Sequence, residues 1–370
     1  MTRLDAPFPW FGGKRKVSAE VWSRFGTVRN YVEPFFGSGA VMLGRPAPIM
    51  GNETVNDLDG YVANFWRSVK MSPVATAEHA DNPVNENDLH ARHVWLLQRR
   101  ETLQSHLDGD PEWHDPQIAG YWVWGIACWI GGGFCSGNGP WWTNEAGQLV
   151  HLGNNGRGVN RQLVHLGDNG QGVNRKRVHL GTNGQGVNRK LVHLGNNGRG
   201  EPQARLAPWF NSLAERLRNV RVCSGDWSRV CGPSVTFKHG LTGVFLDPPY
   251  ADTAERQGDL YRKDSEDVAH DVRDWAVANG DNPLLRIALC GYEGEHEMPP
   301  SWSVHSWSAG EGYGAQAEER SENGKRERIW FSPACSEKRQ GSLFDATREQ
   351  PEIETENAGS CSGPNGEVCQ

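Results

Sequence analysis

Gly243-Val244-Phe245-Leu246-Asp247-Pro248-Pro249-Tyr250 decides how the rest of the chain is read. The first four residues are a short apolar run bounded by punctuation, which predicts a buried parallel strand. Asp247 then falls at the carboxyl end of that strand, where open α/β sheets place their ligands. Pro248 and Pro249 remove two backbone donors and fix φ, so neighbouring carbonyls stay aimed to accept protons from an exocyclic amino group. Tyr250 adds an aromatic face on which a flat ring can stack, at about 1–3 kcal/mol per base. Taken alone, the same letters also describe an ordinary strand followed by a proline turn.

Working outward, Tyr31-Val32-Glu33-Pro34-Phe35-Phe36-Gly37-Ser38-Gly39-Ala40-Val41 reads as a strand running into a Gly-x-Gly turn and a helical start. That arrangement lets a backbone approach a nucleotide-like ligand closely. Further on, Val55-Asn56-Asp57-Leu58-Asp59 puts an acid at the end of a second strand, near the ~20-residue offset at which such an acid binds ribose hydroxyls. The third glycine of the dinucleotide fingerprint is missing. A ligand without a pyrophosphate does not need it, and S-adenosylmethionine has a ribose and no phosphate. Near the N-terminus, Pro9-Trp10-Phe11-Gly12-Gly13-Lys14 sets a glycine pair beside an indole and a cation.

In this order, the four segments resemble the D12 class of adenine-specific DNA methyltransferases, in particular the versions carried by bacteriophages. The resemblance covers mainly residues 1–70 and 240–335. It implies an S-adenosylmethionine-dependent, Rossmann-like α/β methyltransferase sheet of seven strands with helices on both faces, and a flipped adenine as acceptor. By motif, Trp10, Lys14, Asp57 and Asp247 fall on cofactor contacts, and Glu33, Pro34, Phe35, Gly37 and Gly39 on the loop around the methionine end. Phe11 departs from the better-known members, which have a small residue before the glycine pair. Asp226, after the strand Val220-Arg221-Val222-Cys223, resembles the segment near the cofactor adenine, although a helix cap would look the same.

The formal net charge of −7 fits a DNA-binding protein only once it is divided along the chain. Residues 336–370 hold three basic and seven acidic side chains and read as an acidic disordered tail. In residues 150–200, eight basic side chains stand against Asp168 alone, the electrostatic footprint expected where phosphates bind. The same segment repeats Val-His-Leu-Gly from Val150, Val164, Val178 and Val192, each followed by an Asn-Gly pair. Asn-Gly between short β-prone runs predicts two short strands around a tight loop per unit. Stacking would align Arg161, Arg175 and Arg189 with Asn160, Asn174 and Asn188 beside them. Arg and Asn are the side chains that pair bidentately with guanine and adenine edges. A DNA-reading extension, a phosphate-holding hairpin stack and an expanded Gly/Asn-rich loop all remain open at this point.

Eight cysteines lack zinc-ligand spacing, and no metal is expected. No apolar run approaches the ~18–20 residues that span a bilayer, and no signal-peptide pattern is present, so a cytoplasmic protein is expected, with a monomer as the default oligomeric state. Residues 71–149 read as the helical part of an insertion. Asn87-Asp88 caps one amphipathic helix reaching Leu103, and the apolar stretch 117–130 forms a buried helix. Trp122, Trp124 and Trp129 belong in the core, whereas Trp141 and Trp142, in a Gly/Asn/Pro-rich loop, are candidates for DNA contact. The catalytic domain is expected from 1–70 and 216–335, with Ala251 to Lys263 a mobile loop. The expected reaction is methylation of adenine N6 in double-stranded DNA, with Asp247 and Pro248 accepting from the amino group and Tyr250 stacking on the base. Cytosine N4 methylation and an inactive DNA-binding homologue are the alternatives.

Overall fold

The computed structural model describes residues 4–8, 10, 14–49, 51–84, 86–129, 134–135, 141–143, 149–151, 203–250, 259–307 and 326–335. Its strands are β1 (Asn30–Glu33), β2 (Asn52–Asp57), β3 (Trp141–Thr143), β4 (Leu149–His151), β5 (Val220–Ser224), β6 (Thr242–Leu246), β7 (Leu285–Tyr292), β8 (Ser303–Ser306) and β9 (Glu327–Phe331). Seven of them form one sheet in the order β5-β2-β1-β6-β7-β9-β8. The pairings among β5, β2, β1, β6 and β7 are parallel, and β9 runs antiparallel to both β7 and β8. This is the mostly parallel, Rossmann-like α/β architecture that the resemblance implies.

Side-chain alternation explains why both faces are covered. Successive residues of a strand point to opposite faces. Tyr31, Phe245, Ala288, Cys290, Ile329 and Phe331 belong to one hydrophobic cluster. Val32, Val244, Leu246, Ile287, Leu289 and Trp330 belong to a second. Strands apolar on both sides cannot leave either face to water, so helices must close both. The first cluster is completed by α1 (Ser18–Phe25), α3 (Gly60–Met71), α4 (Pro73–Ala80), α7 (Pro116–Cys128) and α8 (Gln203–Leu217), and the second by α9 (Asp259–Asn279). The short α2 (Ala40–Leu43) follows the Gly-x-Gly turn.

Strand order reverses beside β1. The chain leaves β1 for β2 and β5 on one side, and returns through β6 and β7 on the other. Register pairs Val32 with Val244, so Glu33 and Asp247 finish at neighbouring strand ends. A crevice at such a switch point is where open α/β sheets hold ligands.

Several helical expectations are sharpened. Asp115 caps α7 by accepting from Gln117 N and Ile118 N, with Pro116 at its first turn. Trp122 and Trp124 are core residues, in contact with Phe8, Phe65 and Arg92. The single amphipathic helix read through Leu103 is two helices, α5 (Glu86–Leu97) and α6 (Arg100–Gly109). A tight turn, in which Arg99 N bonds Leu96 O, lets Leu96 and Leu103 both reach the core. Trp141 and Trp142 lie on a strand and not in a loop: β3 pairs antiparallel with β4, setting Trp141 opposite His151. Trp, Thr and Val are strong strand formers, and that preference outweighs the loop-like flanks. The polar stretch read as a loop to Lys263 is helical from Asp259, where α9 begins. A polar segment without apolar period can still form the first turns of a helix that propagates from packed turns beyond it.

Arg161, Arg175, Arg189, Asn160, Asn174 and Asn188, the tail 336–370, residues 251–258, Phe11 to Gly13 and Gly131 to Gly133 lie outside the described residues. Among the described residues no helix is long and apolar enough to cross a membrane.

Candidate active site

The glycine turn after β1 is built by hydrogen bonds that only this sequence order supplies. Phe36 N donates to Asn56 O, and the Asn56 amide donates to Pro34 O at 3.1 Å and to Gly225 O at 2.9 Å. Asn56 thus ties the ends of β1, β2 and β5 together. Gly37 N donates to Asp57 Oδ2 at 2.8 Å, and Gly37 O accepts from Trp66 Nε1 at 2.8 Å. Gly37 and Gly39 have φ of +46° and +68°, and a Cβ on Gly37 would stand 2.4 Å from Trp10 Nε1. Both the left-handed backbone and the indole demand glycine at this turn.

Beside this turn opens a small cleft whose lining includes Trp10, Lys14, Glu33, Phe35 and Asp247. Five residues expected around the cofactor from separate parts of the sequence therefore share one crevice at the switch point. Pro34 is buried behind it, and the ring of Phe35 stacks with Trp227 at 6.4 Å between centroids. Glu33 is buried and accepts a 2.8 Å hydrogen bond from the Tyr31 hydroxyl. Burial pushes its carboxyl well above the usual range, with the nearby Asp247 adding to the rise.

Asp247 follows the last residue of β6, as the apolar run required, with Pro248 buried and Pro249 exposed. Its Oδ1 lies 3.0 Å from Lys14 Nζ and accepts from the Tyr250 hydroxyl at 3.2 Å. Tyr250 is only 8% exposed, packs edge-on against Tyr292 at 4.6 Å, and has the Lys14 ammonium 5.2 Å from its ring centroid. Burial alone would lower the Lys14 pKa, but the surrounding negative groups, Asp247 foremost, reverse this and hold it charged. Burial, helped by the same carboxylates, raises the Tyr250 hydroxyl well above its ordinary value.

Asp57 ends β2 and accepts from Gly37 N with one oxygen and from Asp59 N, at 2.9 Å, with the other. Burial, then the charge of Asp59, pushes its carboxyl up to about 7. The next side chain, Leu58, is 70% exposed, the largest such exposure among the big apolar residues described. Asp226 is exposed and caps a short 3-10 turn through Ser228 N, the cap role that the sequence left open. That turn begins with Trp227, which brings an indole to the mouth of β5.

Glu327 is the site residue the sequence did not single out. It accepts from the Tyr250 hydroxyl at 2.9 Å and lies 3.7 Å from Lys14 Nζ, completing a buried cluster with Asp247. The available signal was a carboxylate heading the apolar strand Glu327-Arg328-Ile329-Trp330-Phe331.

No curated protein matches the chain. The family model of the D12 class N6 adenine-specific DNA methyltransferase matches residues 10–108. The match takes in Trp10, Lys14, the Gly37 turn and Asp57, and ends before Asp247. Glycine turn, acid and lysine thus stand where the seven-stranded sheet opens its crevice, within the stretch, residues 10–108, that is similar to the D12 class of N6 adenine-specific DNA methyltransferases.

Proposed function

We propose that this chain transfers a methyl group from S-adenosylmethionine to N6 of an adenine flipped out of double-stranded DNA. The observation that carries the reading is the convergence, in one cleft at the strand-order reversal, of the Glu33–Gly39 turn and Asp247. The residues present suit the cofactor. The Gly37 and Gly39 turn is a concave backbone surface that a Cβ would fill, and Asp57 keeps unused lone pairs for ribose hydroxyls. Trp10, Lys14, Pro34 and Phe35 shape the cleft around it, and the buried Glu33 and Asp247 suit a ligand with a cationic end. Exposed Leu58, with Trp227 and Asp226 at the adjacent strand end, offers apolar surface and a polar edge for a second flat ring.

The bound cofactor supplies an already activated methyl group. The chain's own task is to hold an amino nitrogen in line with it. Asp247 and the Pro248 carbonyl accept from the two amino protons, which raises electron density on nitrogen and aims its lone pair. Pro249 cannot donate to that carbonyl's neighbourhood and fixes its direction. Tyr250 supplies the aromatic wall, and extrusion of the base is required because N6 is inaccessible within the stack. The basic repeats with Arg161, Arg175 and Arg189, Asn160, Asn174 and Asn188 at fourteen-residue spacing, together with Trp141 and Trp142, are assigned to DNA contact on their residue types and spacing in the sequence. The enzyme acts as a monomer in the cytoplasm of a bacterial host.

Incubation of the purified chain with labelled S-adenosylmethionine and unmodified plasmid DNA, followed by nucleoside analysis, tests the reading. Labelled N6-methyladenine is expected. Label in N4-methylcytosine would overturn the base assignment, and no label would overturn the activity.

A further inference from the structure

Glu327 opens β9 at 3% exposure, a carboxylate set into the sheet opposite Tyr292. Two donors reach it, the Tyr250 hydroxyl and the Lys14 ammonium, and the same two reach Asp247. On Asp247 both fall on Oδ1, and among the described residues Oδ2 takes no hydrogen bond. A phenol has one proton, so Tyr250 serves one carboxylate at a time, and its shorter bond is to Glu327, 2.9 against 3.2 Å. Lys14 has three protons and bridges both. Removing Glu327 would turn the Tyr250 proton and more of the Lys14 charge onto Asp247, weakening it as an acceptor.

We propose that Glu327 is a positioning residue for methyl transfer: it anchors Tyr250 and Lys14 from behind, so that Asp247 is gripped at Oδ1 and presents Oδ2 to the amino group of the substrate. The role rests on the proposed function and extends it to a residue on the last strand of the sheet. It also gives the buried Tyr250 a fixed ring plane, because the hydroxyl is held at one end and Tyr292 packs against the ring.

The test uses the full chain as wild type, Glu327→Gln, Glu327→Ala, Tyr250→Phe and the Tyr250→Phe/Glu327→Ala pair. Single-turnover methyl transfer to unmodified plasmid DNA is measured beside calorimetric affinity for S-adenosylhomocysteine. Loss of a charge-assisted anchor predicts that Glu327→Ala slows transfer at least about tenfold while affinity for the analogue changes less than about threefold. Glu327→Gln keeps an acceptor for the phenol and recovers part of the rate. In the Tyr250→Phe background the Glu327→Ala change costs less than it does alone, because one of its two routes is already gone. Wild-type turnover in Glu327→Ala, effects that multiply in the double variant, or a loss accounted for by analogue affinity would each overturn the role. If Glu327→Ala does not fold, the cycle is run with Glu327→Gln and judged by the same coupling. A wild-type chain that transfers no methyl group overturns the proposed function itself, and this role with it.

Discussion

Asp57 gives cofactor binding a pH dependence whose sign and size follow from its surroundings. Its two oxygens accept from Gly37 N and Asp59 N, yet burial and the neighbouring Asp59 charge push its carboxyl up to about 7. Ribose hydroxyls donate best to an ionised carboxylate, whereas a protonated one gives up acceptor capacity. Binding therefore favours the ionised form, and affinity should rise with pH through about 7 and level off above it. Between pH 6 and pH 8 the ionised fraction grows from about a tenth to about nine tenths, so the Kd should tighten about tenfold, or about 1.4 kcal/mol. The assay is a calorimetric titration of S-adenosylhomocysteine across that range with wild type and Asp57→Asn. The asparagine keeps an oxygen for Gly37 N and removes the titration, so its curve should be flatter by that tenfold. Identical slopes in the two proteins would refute the placement of ribose at Asp57. The unliganded protein should respond in the opposite sense. A raised folded-state pKa adds stability below the unfolded value near 3.9, and that stability is lost as pH rises through about 7. The Tm of wild type should accordingly fall more than that of Asp57→Asn between pH 5 and 8.

Three further outcomes are expected. Gly37→Ala forces a side chain into a left-handed backbone and against Trp10, so it should lower Tm and weaken S-adenosylhomocysteine binding at least about tenfold; unchanged affinity would count against the turn as a cradle. Glu53→Ala leaves the largely buried Arg45 and Arg216 side chains without the carboxylate they share at 3.0 and 2.6 Å, and should cost about 3–5 kcal/mol in denaturant unfolding; a loss under about 1 kcal/mol would contradict the burial argument. Deleting residues 150–200 removes eight basic side chains and should weaken DNA binding and flatten its salt dependence by about 0.9 per lost phosphate contact; an unchanged slope would remove the repeats from the interface.

What the sequence disclosed was local. The Gly37 turn, Asp57 and the Asp247 strand end are legible because each imposes its geometry within a few residues: left-handed backbone, an acid closing a strand, a proline-locked carbonyl. The order of these segments then brought the sheet with it. Glu327 was not legible, because its partners Tyr250 and Lys14 lie 77 and more than 300 positions away and meet it only once β9 inserts antiparallel beside β7. The Glu53 cluster was hidden for the same reason, since Arg216 reaches it from α8. Helix breaks such as Gln98–Arg99 were missed because amphipathic period continues across a tight turn. The contacts that fix Tyr250, two carboxylates sharing its hydroxyl and Tyr292 edge-on to its ring, were likewise beyond the reach of the motif alone.

The central claim is that Asp247 presents an adenine amino group for methylation. Single-base methylation sequencing of plasmid DNA from a methylation-deficient host, expressing the wild type beside Asp247→Ala, tests it most directly. N6-methyladenine within one sequence motif, present with the wild type and absent with the variant although both proteins bind DNA alike, is the predicted result. The same modification level in both, or none in either, would contradict it.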